Sequence, residues 1–233
     1  MPMTWKWSWV KRGVRQSELK TAYEVAEMVE LEEKVITGDA LYCQRKFCQK
    51  VVNAGGDYLV IVKANQRSLY EDIETAFAYP VMGEQYQYAE SEDRHGDRKE
   101  LRRLWSTNAL KDYLDWPEAE QVCKVEREVE RKGNLTTDVR YAITSLRAEA
   151  VRLLGYVRGH WKIENRLHYV RDVTLGEDAS QVRSGSAPEV MAVLRNVVLG
   201  LLRRRGESNI AAAIREIGWK PQEALRILGL ILP

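Results

Sequence analysis

The sequence predicts an α/β fold in which an antiparallel β insertion interrupts the core and helices form the carboxyl terminus. Three observations predict it. A short apolar strand followed by an amphipathic helix occurs twice, at 35–37 with 42–53 and at 58–62 with 68–78. From Glu84 to Leu146 the texture shifts to strands separated by turn signals, and from Arg147 helical spacing returns and persists to the end. The chain therefore divides into an atypical amino-terminal segment (1–17), a first part of the core (18–82), the β-rich insertion (83–146), and a second part of the core with a helical tail (147–233).

The 233 residues suffice for one large domain with an inserted subdomain, and 45% hydrophobic content is ordinary for a globular core. With 36 basic against 34 acidic residues, the net charge of +2 announces no partner by itself. Between Arg147 and Arg205, however, 11 Lys and Arg face 6 Asp and Glu. Cys43, Cys48 and Cys123 form no C-x-x-C pair, which fits reduced thiols better than a disulfide frame or a zinc site. The amino terminus lacks the apolar core of a signal peptide, and no run approaches the ~18 apolar residues of a membrane span. A cytoplasmic protein with no membrane partner is expected.

Trp5, Trp7 and Trp9 alternate with polar residues, the period of a half-buried strand, although an exposed aromatic patch is equally open. Leu19, Ala22, Tyr23 and Ala26 stand at helical spacing and predict a helix from Ser17 or Glu18 to about Glu32, with Ser17 as a cap. The strand at 35–37 runs into Gly38 and Asp39. An acidic residue at a strand's carboxyl end is one way to place a metal ligand, and a helix cap is the plainer alternative. The strand at 58–62 is continuously apolar, as for a strand covered on both faces. Beyond it Lys63, Asn65 and Gln66 offer donors that suit a phosphate or a solvated turn. Ser68 with Glu71 reads as a capping box, and Pro80 ends that helix.

In the insertion, Tyr86 and Tyr88 alternate with polar residues, R-H-G-D marks a turn, and K-G-N joins strands over 121–129 and 138–144. Arg94, Arg98, Lys99, Arg102 and Arg103 either lie along DNA or form a solvated hairpin face. Pro188 opens a helix with an apolar run over 190–202 that ends at Arg203, Arg204 and Arg205. Those cations suit a helix dipole as well as DNA. Short helices near 209–217 and 221–228 complete the tail.

The stretch 156–178 carries the chemistry. On a helix of 3.6 residues per turn, Glu164 shares a polar arc with His160, His168 and Arg171, flanked by Val157 and Trp161 on one side and Leu167 on the other. Arg158, Lys162, Asn165 and Arg166 fall on the opposite side, expected to be solvated. Spacing alone leaves two readings open: an ion-pair ladder that orients the helix, or an active-site carboxylate holding a hard divalent metal beside cations that bind a phosphodiester.

The run H-W-K-I-E-N-R-L-H-Y-V-R-D-V-T-L-G-E-D-A-S strongly resembles the segment around the catalytic glutamate of insertion-sequence transposases of the ISAs1 type. These are also called H-repeat-associated proteins and fall within the IS4-like DDE group. V-I-T-G-D-A-L-Y-C-Q resembles the segment with that family's second catalytic aspartate, and G-G-D-Y-L-V-I-V-K-A-N-Q stands where its next strand and polar loop follow. The resemblance implies an RNase H-like, retroviral-integrase-like core with a β insertion, and metal-dependent cleavage and transfer of DNA strands. It implies Asp39 and Glu164 as catalytic carboxylates holding Mg²⁺ or Mn²⁺. The implied partners are transposon ends and target DNA, with a homo-oligomer forming on DNA. His160, His168, Arg171, Lys63 and Asn65 become the candidates for DNA or phosphate contact, and Asp178 a supporting acid.

The chain also departs from that pattern. Around the glutamate the wider group carries a Tyr, Arg, Glu, Lys signature, where this chain has Val157, His160 and Arg171 in place of the Tyr, Arg and Lys. Residues 1–38 contain no Asp, so the family's first catalytic aspartate has no counterpart. The expectation is a chain matching the carboxyl-terminal half to two-thirds of a transposase and inactive, or nearly so, alone. The alternative is a non-catalytic DNA-binding or regulatory remnant.

Overall fold

The computed structural model describes residues 18–80, 82–163 and 169–230. Ser17 and the three amino-terminal tryptophans lie outside them. Two compact units divide the chain near Trp161.

In the first unit, α1 (Glu18–Met28) precedes β1 (Val35–Gly38), α2 (Arg45–Asn53), β2 (Asp57–Val62) and α3 (Arg67–Ala78). Four long strands follow, β3 (Tyr86–His95), β4 (Arg98–Thr107), β5 (Gln121–Arg131) and β6 (Asn134–Thr144), and then α4 (Ala150–Ile163). All six strands form one sheet in the order β1-β2-β6-β5-β4-β3. Only β1 and β2 are parallel; every other neighbour is antiparallel.

Side-chain alternation sorts the core into two layers. Tyr58, Val60 and Val62 of β2 face one cluster with Phe47, Val51, Leu69 and Ile73 of α2 and α3. Leu59 and Ile61 face the other, with Leu104, Val125 and Ala142 beneath Leu153, Leu154, Val157 and Trp161 of α4. A strand covered on both faces has no polar side to show, which is why β2 reads as an unbroken apolar run.

The strands of the insertion extend this sheet through β6, which pairs with β2. Polar side chains lock that join: Thr144 Oγ1 donates to the Tyr58 carbonyl (2.6 Å), and Ser145 Oγ accepts from the Tyr58 amide (3.1 Å) while donating to Asp57 (2.8 Å). Both hairpins turn over two residues, Gly96-Asp97 and Lys132-Gly133. Lys132 (φ 50°) and Gly133 (φ 78°) both take positive φ, the requirement of a type I′ turn.

Three local expectations change, the first being that the opening helix ends at Met28 rather than about Glu32. The second helix starts at Arg45 rather than Tyr42, because Tyr42 and Gln44 close turns with the carbonyls of Asp39 and Tyr42. The capping box at Ser68 does not form: α3 begins at Arg67, and Arg67 takes Glu71 as its ion-pair partner at 2.8 Å.

In the second unit a π-helical turn (Val170–Thr174) precedes α5 (Ala187–Arg204), α6 (Ile210–Trp219) and α7 (Pro221–Ile227). Its core is small, centred on Leu199, Leu202, Ile210 and Ala213. Asn209 caps α6, accepting from the Ala212 amide at 3.0 Å. No described helix is long and apolar enough to cross a membrane.

Candidate functional site

Asp39 follows the last residue of β1, at the carboxyl end of the parallel pair, with its carboxylate exposed. Oδ1 accepts the Leu41 amide at 2.9 Å, and the Tyr42 amide bonds the Asp39 carbonyl at 3.1 Å, so a tight local turn holds the side chain. Gly38 permits that turn: a Cβ there would stand 2.8 Å from the Tyr42 Cβ. Because β1 and β2 run in parallel, the residues after β2 emerge at the same end of the sheet. Asn65 Nδ2 accordingly donates to the Ala40 carbonyl at 3.3 Å, and Gln66 to that of Cys43 at 3.0 Å, while Lys63 is exposed beside them. Asn65 thus holds the loop that bears Asp39, and Lys63 is exposed at the same end of the sheet.

His160 comes to this end of the sheet from α4. Its Nδ1 lies 3.3 Å from Oγ1 of Thr37, a buried residue two before Asp39. Val157 and Trp161 are buried on the same helix, as their apolar flank predicts. Glu164 and His168 lie outside the described residues.

Arg158, expected in solvent, instead donates from Nη2 to both carboxylate oxygens of Asp93 at 2.9 Å each. The reason is tertiary: α4 lies across the antiparallel strands, so its polar side meets β3. One turn on, the Trp161 ring receives three guanidinium groups, with Arg140 at 5.5 Å, Arg102 at 5.6 Å and Arg127 at 5.7 Å from its centroid. Buried Glu100 bonds Arg102, Arg127 and, at 2.8 Å, Arg98. The final turns of α4 are therefore clamped to four strands.

In the second unit Arg171 is buried, its guanidinium gripping Glu177 through two bonds of 2.8 and 2.6 Å. Asp178 is exposed in the turn that follows.

A family model described as "Transposase DDE domain" matches residues 13–201. The chain belongs to this DDE transposase family. Among curated proteins it is 31% identical to YncI of Escherichia coli O157:H7, named as a candidate transposase, over 203 residues that make up 83% of this chain and 52% of YncI. It is 30% identical over 205 residues to YhhI of E. coli K12, named as an H repeat-associated candidate transposase, covering 83% and 53% of the two chains. The protein YbfL of the same strain matches at 30% over 205 residues. The chain spans about half the length of the curated relatives it matches.

Within this DDE domain, no group of three or more His, Cys, Asp or Glu among the described residues is placed to hold a metal. The donor that Asp39 supplies, an exposed carboxylate at the open end of a parallel strand pair, is of the type that a hard divalent cation takes. The buried cysteines play no such part: burial pushes Cys43 and Cys123 up to about 12 and Cys48 to about 11, leaving protonated thiols at neutral pH.

Sequence reading missed Glu100 and Asp93, the partner of Arg158. Burial pushes the Asp93 carboxyl up, but the hydrogen bond from Arg102 and the charges of Arg158 and Arg102 outweigh it, and its pKa falls below the ordinary value. A depressed carboxyl contributes stability above its unfolded pKa of about 4, and loses it as pH falls through the folded value. Urea stability is therefore expected to decline on acidification below about pH 4. Asp93→Asn should lower stability at neutral pH and flatten that decline; an acid limb of unchanged steepness in the variant would contradict the assignment.

Proposed function

We propose that the chain is the part of an insertion-sequence transposase that carries the second aspartate and the glutamate of an RNase H-like DDE site. Its reaction class is metal-dependent cleavage and transfer of DNA strands, with transposon ends and target DNA as substrates. The observation that carries this reading is the docking of His160 beside Thr37, which brings the last turns of α4 against the strand that ends just before Asp39. Glu164 follows His160 by four residues, the spacing of about one helical turn. In this reading Asp39 and Glu164 hold Mg²⁺ or Mn²⁺. The chemistry supplied by such ions when bound is activation of the attacking oxygen and stabilisation of the leaving one. Lys63 and His160, at the same end of the sheet, and His168 orient the phosphodiester. Arg171, with its guanidinium occupied by Glu177, anchors the turn that bears Asp178.

The test is Mn²⁺ binding to the whole chain, followed by nicking of supercoiled plasmid. Asp39→Asn and Glu164→Gln are each expected to weaken Mn²⁺ binding by more than the about 10–100-fold that follows loss of an outer partner. Equal affinity in wild type and both variants would refute the site. Nicking abolished by both substitutions identifies an enzyme whose remaining carboxylate lies elsewhere. Folded protein that binds DNA and Mn²⁺ but never nicks supports the non-catalytic reading.

A further inference from the structure

A row of polar side chains lies where α4 begins, on the face of the sheet that this helix covers. Gln87 of β3 pairs with Ser106 of β4, Ser106 pairs with Cys123 of β5, and Gln121 stands two residues from Cys123 on the same face. A polar cavity of about 300 Å³ opens here, lined by Gln87, Ser106 and Gln121 of the sheet and by Arg147, Ala148 and Glu149 around the start of the helix.

The helix orients both glutamines. Gln87 Oε1 accepts the Ala150 amide and Gln121 Oε1 the Ala148 amide, each at 2.9 Å. A backbone N–H can only donate, so each side-chain oxygen is fixed against the chain and each Nε2 is left to donate elsewhere. Ser106 is fully buried, and its Oγ has no hydrogen-bond partner among the described residues. Buried hydroxyls are seldom left unpaired, and this one sits beside two glutamines whose acceptors are spent. The base of the cavity therefore presents hydroxyl and amide donors. It does so at the amino end of a 14-residue helix, where the backbone dipole favours negative charge. At the rim the charges balance: Lys111 bonds Glu120 at 2.6 Å, and Arg147 is accompanied by Glu149. Selection of a ligand thus falls to the base.

We propose that this cavity binds a small tetrahedral oxyanion of the phosphate kind, free or as the end group of a phosphomonoester. Ser106 and Gln121 donate to it at the base and Arg147 at the mouth. Such a group has three or more free oxygens and can meet base and mouth together. A backbone diester carries a sugar on each side and does not reach a serine that is 0% exposed. Once bound, the anion ties β4 and β5 to the start of the helix that carries His160 near its other end. Neither Asp39 nor Glu164 takes part, so the inference is independent of the proposed function.

The experiment is isothermal titration calorimetry of the whole chain with inorganic phosphate and, separately, with ribose 5-phosphate, at constant ionic strength in chloride. One saturable site is expected. Tighter binding of the sugar phosphate identifies the ester end group as the ligand, and the reverse identifies the free ion. Ser106→Ala should weaken binding about tenfold or more, the loss for a hydrogen bond to a charged group. Because that variant removes an unpaired hydroxyl, its melting temperature without phosphate should equal or exceed that of the wild type, which keeps it testable. Gln121→Glu keeps an oxygen for the Ala148 amide but replaces the donor with a negative charge, and should abolish binding. If it fails to melt cooperatively, Arg147→Gln takes its place, with weakened binding expected. Arg215→Gln, at an exposed cation of the second unit, should change nothing. Absence of a saturable site, equal affinity in wild type and Ser106→Ala, or displacement of phosphate by duplex DNA lacking terminal phosphates would overturn the proposal. Asp39→Asn and Glu164→Gln should bind phosphate as the wild type does, so failure here and failure of the metal site remain distinguishable.

Discussion

Trp161→Ala is expected to lower the stability of the first unit by about 3–5 kcal/mol, the range for deleting a buried aromatic ring. The indole is 7% exposed and packs with Val157, Leu104 and Val125 in the core layer under α4. Its removal leaves a cavity where α4 meets the sheet. It also leaves Arg102, Arg127 and Arg140 without the ring face over which they gather, which adds loss beyond the apolar term. Trp161→Phe keeps a ring and should lose much less. Urea unfolding followed by far-ultraviolet circular dichroism checks both. A change within about 0.5 kcal/mol for Trp161→Ala, the size typical of surface positions, would show that the clamp contributes nothing.

Glu100→Ala should be comparably severe. The carboxylate side chain is only 10% exposed and stands among Arg98, Arg102 and Arg127. Breaking a buried ion pair by removing one partner costs about 3–5 kcal/mol, because the remaining charge is left desolvated and uncompensated. Here three guanidinium groups would face one another across β4 and β5. A double-mutant cycle separates this effect from simple loss of side-chain volume: in an Arg102→Met background, Glu100→Ala should cost measurably less. Strict additivity would mean that Glu100 acts on its surroundings by packing alone.

These two residues also show how unevenly the chain can be read. Trp161 is legible as a core residue, because it stands four positions from Val157 on one helix face. Glu100 is not, since in K-E-L-R-R-L-W it reads as one more charge on an exposed hairpin. Nothing in its neighbourhood along the chain announces burial. The helix geometry that places Trp161 in the core also directs Arg158 to solvent, because a helical wheel has no knowledge of a strand lying on its far side. At the candidate site, Asp39 is legible from the strand, glycine, acid order and the family resemblance. The docking of His160 on Thr37, 123 residues apart in sequence, is not.

The sequence by itself determined whatever depends on neighbours along the chain. That includes the two strand-and-helix repeats, both hairpin turns, the membership in a DDE transposase family and the choice of Asp39 and Glu164 as candidates. Period, turn chemistry and local motif are properties of a few consecutive residues, so they survive without a fold. Tertiary structure alone decided that β6 joins β2, which makes the antiparallel strands part of one sheet with the parallel pair. It also decided which face of those strands α4 covers, and with it that Asp93 and Glu100 are engaged by arginines from α4 and the neighbouring strands. Alternation states that a strand has two faces, but only packing chooses which of them meets the helix.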